Sequence, residues 1–277
     1  MAKTSRPYEA GHYHRDLSSE LERLRRFATL GWEQEAEALT SLGLADGMSV
    51  LEIGSGPGFY TELLCGLVPN ASITGLEIDP ELIAHAESRL AGRVSRFVER
   101  SVLDTGLPDD SFDFAVARLV LQHIPDQEQA LKEILRVLRP GGRLVVIDVD
   151  HRVSNLVHPV KPALEAVLEK TAQLHRLRGG DPQVGRRLWR LLHLAGFTDT
   201  ELKATVGHSG KRGIEWCATQ FDPDRLRPFV ESGLLSEDEW HSVRAAVDEI
   251  LADPDAFYLN VMLFACGEKP DRAARQG

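Results

Sequence analysis

The sequence predicts an α/β fold in which a doubly wound, mostly parallel seven-stranded sheet has a helical segment before it and helical insertions after it. Three observations carry that expectation. Between residues 49 and 149 short apolar runs alternate with segments of helical periodicity. One run, "VLEI", passes directly through "GSGPG" into a helix. Another, "RLVVIDV", is apolar almost throughout, as befits a strand covered on both faces.

The elements follow in order. Residues 1–16 are polar, with clustered Tyr and His. A first helix comes next, with Ser19 and Glu22 spaced as a capping box and Leu21, Leu24 and Ala28 at helical intervals. Gly31 breaks it, "WEQEAEALTSLGL" supplies a second helix, and "ADG" turns into the first strand. Strands are expected at 49–53, 72–77, 94–98, 112–117 and 142–149, with helices at 58–67, 80–91 and 127–138. "RPGG" ends the last of these helices. Beyond residue 150, helix is expected at 159–178, and an amphipathic helix ends near Gly196. "TDTELKATV" is a sixth strand, 222–252 further helix, and "AFYLNVMLFACGEK" the seventh strand. The chain thus divides into an N-terminal helical lid (1–46), a ligand-binding core (47–150), the rest of the core with cap-forming insertions (151–270) and a disordered tail (271–277).

With 277 residues the chain can bury a sizeable core. Its formal net charge of −10 and lack of a basic stripe argue against a nucleic-acid partner. Cys65, Cys217 and Cys266 are far apart and show no metal-ligand spacing, as in a reducing compartment. The N-terminus lacks the apolar stretch of a signal peptide, and no apolar run is long enough to span a bilayer. The expectation is a cytoplasmic protein without a membrane span, with homo-oligomerisation through the N-terminal or cap helices as an option.

A strand, a glycine loop and a helix place backbone N–H groups at the carboxyl end of a sheet, where nucleotide-type ligands bind; glycines serve a plain tight turn equally well. The spacing Gly54-x-Gly56-x-Gly58 departs from a dinucleotide fingerprint, because Phe59 stands where glycine or alanine is required. Pro57 removes one N–H from the cradle. Glu52, at the end of the first strand, would repel phosphate and attract an ammonium or sulfonium. Glu77 ends the second strand at the position of ribose-binding acids, with Ile78 beside it to pack on an adenine face, while Asp79 is the better cap for the next helix. A cationic end, a ribose and an adenine together describe S-adenosylmethionine.

At these residues the chain resembles the class I S-adenosylmethionine-dependent methyltransferases of small-molecule type. "VLEIGSGPG" is similar to their first motif and "GLEIDPE" to their acidic second-strand motif. "LPDDSFDFAVARLVLQHIPD" and "ALKEILRVLRPGGRLVVIDVD" resemble the fourth- and fifth-strand motifs. The resemblance covers residues 47–150 and implies a Rossmann-like fold binding S-adenosylmethionine, with S-adenosylhomocysteine as product. It further implies that Gly54, Ser55, Gly56 and Gly58 approach the methionine and ribose, that Glu52 holds the ammonium and Glu77 the ribose. Ser101 and Val102 take the adenine-edge position, with Asp104 as a substitute acceptor, and Arg118 offers its backbone carbonyl to the methionine end.

A sulfonium is already an activated methyl donor, so a base is needed only for a poor nucleophile. His123 after the fourth strand and His151 after the fifth are candidate catalytic residues, against the plainer reading that they shape their turns. Tyr13, with Tyr8 and His12, lies in the lid segment and is a third candidate. "DVDH" could be read as a metal site, but Asp148 and Asp150 should face opposite ways, and metal-dependent catechol-type relatives need an acid where Arg118 stands. No metal is expected. The stretches 155–180 and 208–252 should roof the pocket, with Trp216, Phe221, Phe229 and Trp240 either lining it or forming the cap's core.

The expected activity is methyl transfer to O, C or N of a small organic acceptor, of the secondary-metabolite or lipid-quinone kind. Two rivals stand beside it: a cofactor-binding but inactive regulatory or scaffold subunit, and a nicotinamide-dependent dehydrogenase, against which Glu52 and Pro57 speak.

Overall fold

The structure is a computed structural model and describes residues 17–93, 95–216 and 221–271. Strands β1 (Ser49–Ile53), β2 (Ser72–Glu77), β3 (Ser95–Glu99), β4 (Phe112–Arg118) and β5 (Leu138–Asp148) pair in parallel in the order β3-β2-β1-β4-β5. Each is followed by a connection that returns the chain to the same end, the arrangement parallel pairing requires. Three of those connections are α3 (Phe59–Leu67), α4 (Pro80–Arg89) and α5 (Gln127–Val137). Antiparallel to β5 runs β8 (Phe257–Glu268), whose other edge pairs with β7 (Thr198–His208). The short β6 (Leu156–His158) pairs with residues 257–259 of β8, making eight strands among the described residues.

Side chains alternate between the sheet's faces with period two. Val50, Phe114, Val116, Val145 and Ile147 pack with residues of α1 (Leu17–Thr29), α2 (Trp32–Ser41) and α3. Leu51, Ile53, Ala115, Ala117, Leu144 and Val146 face α5 and α7 (Leu188–Ala195). A third core lies outside the sheet, where α6 (Pro162–Leu177), α9 (Arg227–Glu231) and α10 (Glu237–Ala252) bury Leu164, Val167, Phe229, Val243 and Ile250; the one-turn α8 (Ser209–Arg212) borders it.

Several boundaries differ from the sequence reading. Helix α1 already begins at Leu17, so Ser19 lies within its first turn and is not the cap of a capping box. The eighth strand, Leu156–His158, falls inside the stretch expected as helical insertion. Pro162, seated at the first helical position, starts α6 three residues later than expected. Residues 222–252 do not form one helix: the chain breaks at Gly233 (φ 76°), and Ser236 and Glu239 cap α10 reciprocally. Helix α5 passes into β5 without a break, since Leu138 already pairs with Phe112. The expected tail, apart from Asp271, lies outside the described residues, as does Cys217.

The N-terminal helices are fastened to the sheet by one ion pair. Arg118 ends β4, and its Nε and Nη2 donate to Glu35 of α2 at 2.7 and 2.9 Å. Nη2 also donates to the Phe27 carbonyl of α1 at 2.8 Å. The Glu35 side chain is 2% exposed and that of Arg118 11%, so the pair is almost wholly desolvated. Removing one partner strands the other charge, and Glu35→Ala should cost about 3–5 kcal/mol in urea unfolding. The apolar double variant Glu35→Leu/Arg118→Met should recover most of that loss; a single variant as stable as wild type would show that the clasp bears no load.

Candidate active site

Parallel pairing brings Glu52, Glu77, Arg118 and Asp148 to the carboxyl ends of β1, β2, β4 and β5, along one rim of the sheet. A cavity of about 830 Å3 opens there and runs up beneath the cap.

The glycine loop forms the cavity's lower wall. Gly54 (φ 66°), Gly56 (φ 53°) and Gly58 (φ 80°) all take left-handed backbone conformations. A Cβ on Gly54 would lie 2.5 Å from Val120 Cγ2, so glycine lets the turn after β4 close on the loop. A Cβ on Gly56 would meet nothing within 4 Å, because that residue faces the open cavity. The N–H groups of Gly54 and Ser55 donate to the Leu76 carbonyl at 2.8 and 3.1 Å, tying the loop across to β2. The Ser55 hydroxyl is buried without a hydrogen-bond partner among the described residues and turns towards Gly75 of β2.

Two buried acids border this loop. Glu52 accepts from Thr61 Oγ1 at 2.6 Å. Burial pushes its pKa up to about 8; Thr61 opposes that rise and the Glu77 charge adds to it. Glu77 accepts from the N–H groups of Gly56, Ile78 and Asp79 at 2.9, 2.7 and 3.1 Å. Desolvation still outweighs those three donors and holds its carboxyl above the ordinary range. Neither acid forms an ion pair among the described residues. Asp79 caps α4 by accepting from Glu81 N at 2.9 Å, leaving Glu77 to the cavity as expected.

Of the other sequence candidates, Ile78, Ser101, Val102 and Arg118 line the cavity and Asp104 does not. Ser101 Oγ accepts from Leu103 N at 3.2 Å within its own turn. The Arg118 guanidinium points away to Glu35, and the Tyr60 ring lies 5.0 Å beneath it.

Leu119 has a left-handed backbone (φ 57°), a strained state for a bulky residue, and it turns the chain into the 121–123 segment bearing His123. His123 stacks on His175 with ring centroids 4.7 Å apart, and His151 lies 6.1 Å from His175. All three line the cavity. His175 was missed in the sequence. Its signal was position: it continues the face of α6 on which Val167, Leu168, Thr171 and Leu174 recur, and all of these line the cavity. Burial depresses all three imidazoles, His123 to about 3 and His175 to about 4, the latter also lowered by His151, so the rings are neutral at neutral pH. Tyr13, Tyr8 and His12 lie outside the described residues.

Asp148 and Asp150 do turn to different partners. Asp148 is buried and accepts from Gln122 N (3.1 Å) and Val149 N (2.9 Å); desolvation raises it to about 7. Asp150 accepts from Nε and Nη2 of Arg186, both oxygens on one edge of the guanidinium. Among the described residues no group of three or more His, Cys, Asp or Glu is placed to hold a metal ion. Trp216, Phe221 and Phe229 line the cavity and also form the cap's core. Trp240 corrects the expectation: it lies outside the lining, donating to the Pro223 carbonyl at 2.8 Å and stacking under Arg227 at 3.5 Å.

Comparison with known proteins gives a consistent picture. The methyltransferase-domain family matches residues 51–146. Trans-aconitate 2-methyltransferase of Methylobacterium nodulans is 31% identical over 215 residues, covering 74% of this chain and 79% of that one. The Methylobacterium radiotolerans enzyme of the same name is 30% identical over 164 residues, and the chain spans only 60% of its length. A solved structure of Haemonchus contortus phosphoethanolamine N-methyltransferase 2 in complex with S-adenosyl-L-methionine superposes with a TM-score of 0.57 at 18% identity, covering 87% of this chain and 53% of that one.

The buried groups tie stability to pH in two opposite senses. His123 and His175 titrate in the fold at about 3 and 4 instead of 6.5, so the unfolded chain takes up their protons first. Their contribution is complete above pH 6.5 and is lost as the pH falls towards 4; in urea titrations His175→Gln should flatten that acid limb. Glu52 acts the other way, its contribution complete below pH 4.5 and lost as the pH rises through about 8, so Glu52→Gln should be the more stable protein above that point. Parallel pH–stability curves for wild type and both variants would refute these assignments.

Proposed function

The chain belongs to the S-adenosylmethionine-dependent methyltransferases, and on that premise we propose that it transfers a methyl group from S-adenosylmethionine to a small organic acceptor held beneath the cap. The observation that carries this reading is the pair of buried acids that form no ion pair among the described residues, facing a cavity beside a glycine whose missing side chain leaves the wall open.

These residues fit the cofactor. A buried carboxyl held above its ordinary pKa gains most from a cation brought beside it, and Glu52 is assigned to the ammonium end. Glu77, oriented by three backbone donors, is assigned to the ribose hydroxyls, and Ile78 to an adenine face. Gly54, Ser55, Gly56 and Gly58 supply close backbone approach, Ser101 and Val102 the adenine edge, and the Arg118 carbonyl the methionine end. S-adenosylmethionine supplies a sulfonium methyl that needs no further activation.

The chain's remaining task is to orient the acceptor and exclude water. The lid helices, clasped by Arg118 and Glu35, close one side, and α6 with the cap aromatics closes the other. His123 and His151 are assigned as the groups whose ring nitrogens face the acceptor; burial that holds His123 at about 3 makes it a weak base in the free protein. Tyr13 remains a candidate from the sequence alone. Relatives named for trans-aconitate support an acceptor of metabolite size.

Calorimetric titration with S-adenosylhomocysteine tests the reading. Micromolar binding is expected, and Glu77→Ala should weaken it by about 30-fold or more, as loss of charged hydrogen bonds to a ligand does. Because Glu52 is protonated below about pH 8 in the free protein, binding near neutrality should release about one proton, visible as a dependence of heat on the buffer, and Glu52→Gln should abolish that release. Absence of binding, or equal binding by Glu77→Ala, would refute the assignment.

A further inference from the structure

Where β6, β8 and β7 run side by side, strand register sets three residues in a row. Leu156 pairs with Leu259, so Asn155 stands opposite Asn260, and Asn260 pairs along its other edge with Gly207. All three line the cavity. Asn155 Oδ1 accepts two hydrogen bonds, from the Tyr258 hydroxyl at 2.6 Å and from Asn260 Nδ2 at 3.1 Å, which uses both of its lone pairs. Asn155 Nδ2 and Asn260 Oδ1 make no hydrogen bond among the described residues, and neither atom is sealed from solvent. The bond between the two amides thus keeps an unused donor and an unused acceptor next to each other in the cavity wall.

The surroundings hold that pair in place. Asn155 has a left-handed backbone (φ 61°), which asparagine tolerates better than most residues, and it turns the chain into β6. Buried Ser154 before it donates to the Val261 carbonyl at 2.7 Å, pinning the turn to β8 beside Asn260. Gly207 supplies a flat wall. A Cβ there would lie 2.4 Å from Trp216 Cη2, so glycine lets the indole settle on β7 across from Asn260. The same ring meets the buried Tyr258 edge-on, with centroids 4.7 Å apart. Tyr258 needs a single acceptor for its hydroxyl; the second amide and the unused polar edge are surplus to that structural need.

We propose that Asn155 and Asn260 are the specificity-determining pair of the acceptor subsite, and that the acceptor shows them a carbonyl and an N–H side by side, as a primary carboxamide or a lactam does, with its flat body against Trp216. The proposal rests on the methyltransferase reading and adds to it the acceptor's hydrogen-bonding pattern. Asn155 Nδ2 donates to the acceptor's carbonyl, and Asn260 Oδ1 accepts from its N–H. An acceptor lacking the N–H leaves the Asn260 carbonyl unpaired once water is excluded, and that penalty discriminates more sharply than any gain from apolar contact. Two amides fixed by their own hydrogen bond lose little freedom on binding, so the ligand's orientation is set in advance.

The test uses the full chain saturated with S-adenosylhomocysteine and titrated, by ligand-observed NMR, with benzamide and with acetophenone, which has nearly the same shape but a methyl group in place of the amide nitrogen. Benzamide should bind about tenfold more tightly, the worth of one hydrogen bond whose loss strands a partner. Asn260→Val, a residue suited to a strand, should bring that ratio to about one. Asn155→Gly, which keeps the left-handed backbone, should weaken both probes alike and leave the ratio standing. Both variants should bind S-adenosylhomocysteine as wild type does, which certifies their fold. Equal binding of the two probes by wild type, or binding of neither, overturns the proposal whichever variants fold; so does an unchanged ratio in Asn260→Val or unweakened probes in Asn155→Gly. Failure of wild type to bind S-adenosylhomocysteine overturns the methyltransferase reading instead.

Discussion

Two carboxyl groups buried at the ends of adjacent strands, Glu52 at 3% and Glu77 at 8% exposure, are the constraint around which the site is organised. Buried like charges raise one another's pKa, and here no lysine or arginine pairs with either among the described residues. The fold meets that cost with oriented donors. Thr61 turns its hydroxyl onto Glu52, and the chain around Glu77 directs three N–H groups onto its carboxylate. One of the three belongs to Gly56, so the left-handed glycine loop and the acid of the next strand hold each other in place. A site kept short of positive charge is preorganised for a cation, because the ligand supplies the charge the protein withholds.

From that rim the rest of the architecture follows in layers. Parallel pairing puts β4 beside β1, so Arg118 stands near the acids; its bidentate hold on Glu35 commits its guanidinium to α2, and its charge reaches Glu52 only across space, too weakly to offset burial. The same strand end turns sharply at Leu119, and Gly54 makes room for Val120 in that turn. Closing the turn carries His123 to His175 of α6. The cap serves twice: Trp216, Phe221 and Phe229 bury one another to hold the insertions together, and the surface they leave is the apolar wall of the cavity. Thus the cavity's apolar wall is a by-product of the packing that stabilises the cap.

The sheet and the glycine loop at its carboxyl end were legible in the sequence because they rest on local signals. Short apolar runs mark β1 and β4 as strands covered on both faces, Gly54, Gly56 and Gly58 need a conformation that other residues resist, and an acid at a strand's end has only the rim to occupy. The sequence by itself therefore determined the alternation of strands and helices through β5, the glycine loop, and the places of Glu52 and Glu77. Helix breaks in the cap were also written there, at Gly233 and Ser236, although hydrophobic spacing alone reads across them. Tertiary structure decided the remainder. Arg118 and Glu35 are 83 residues apart, and no local pattern announces their pairing. His175 reads as one more residue on an apolar helix face until β4 and α6 set it against His123. Which aromatics face the cavity, and that Trp240 does not, depends on how separate helices pack. Local backbone chemistry acts over a few residues and can be read one segment at a time; burial, ion pairing and pKa are properties of neighbours in space, and those exist only once the chain has folded.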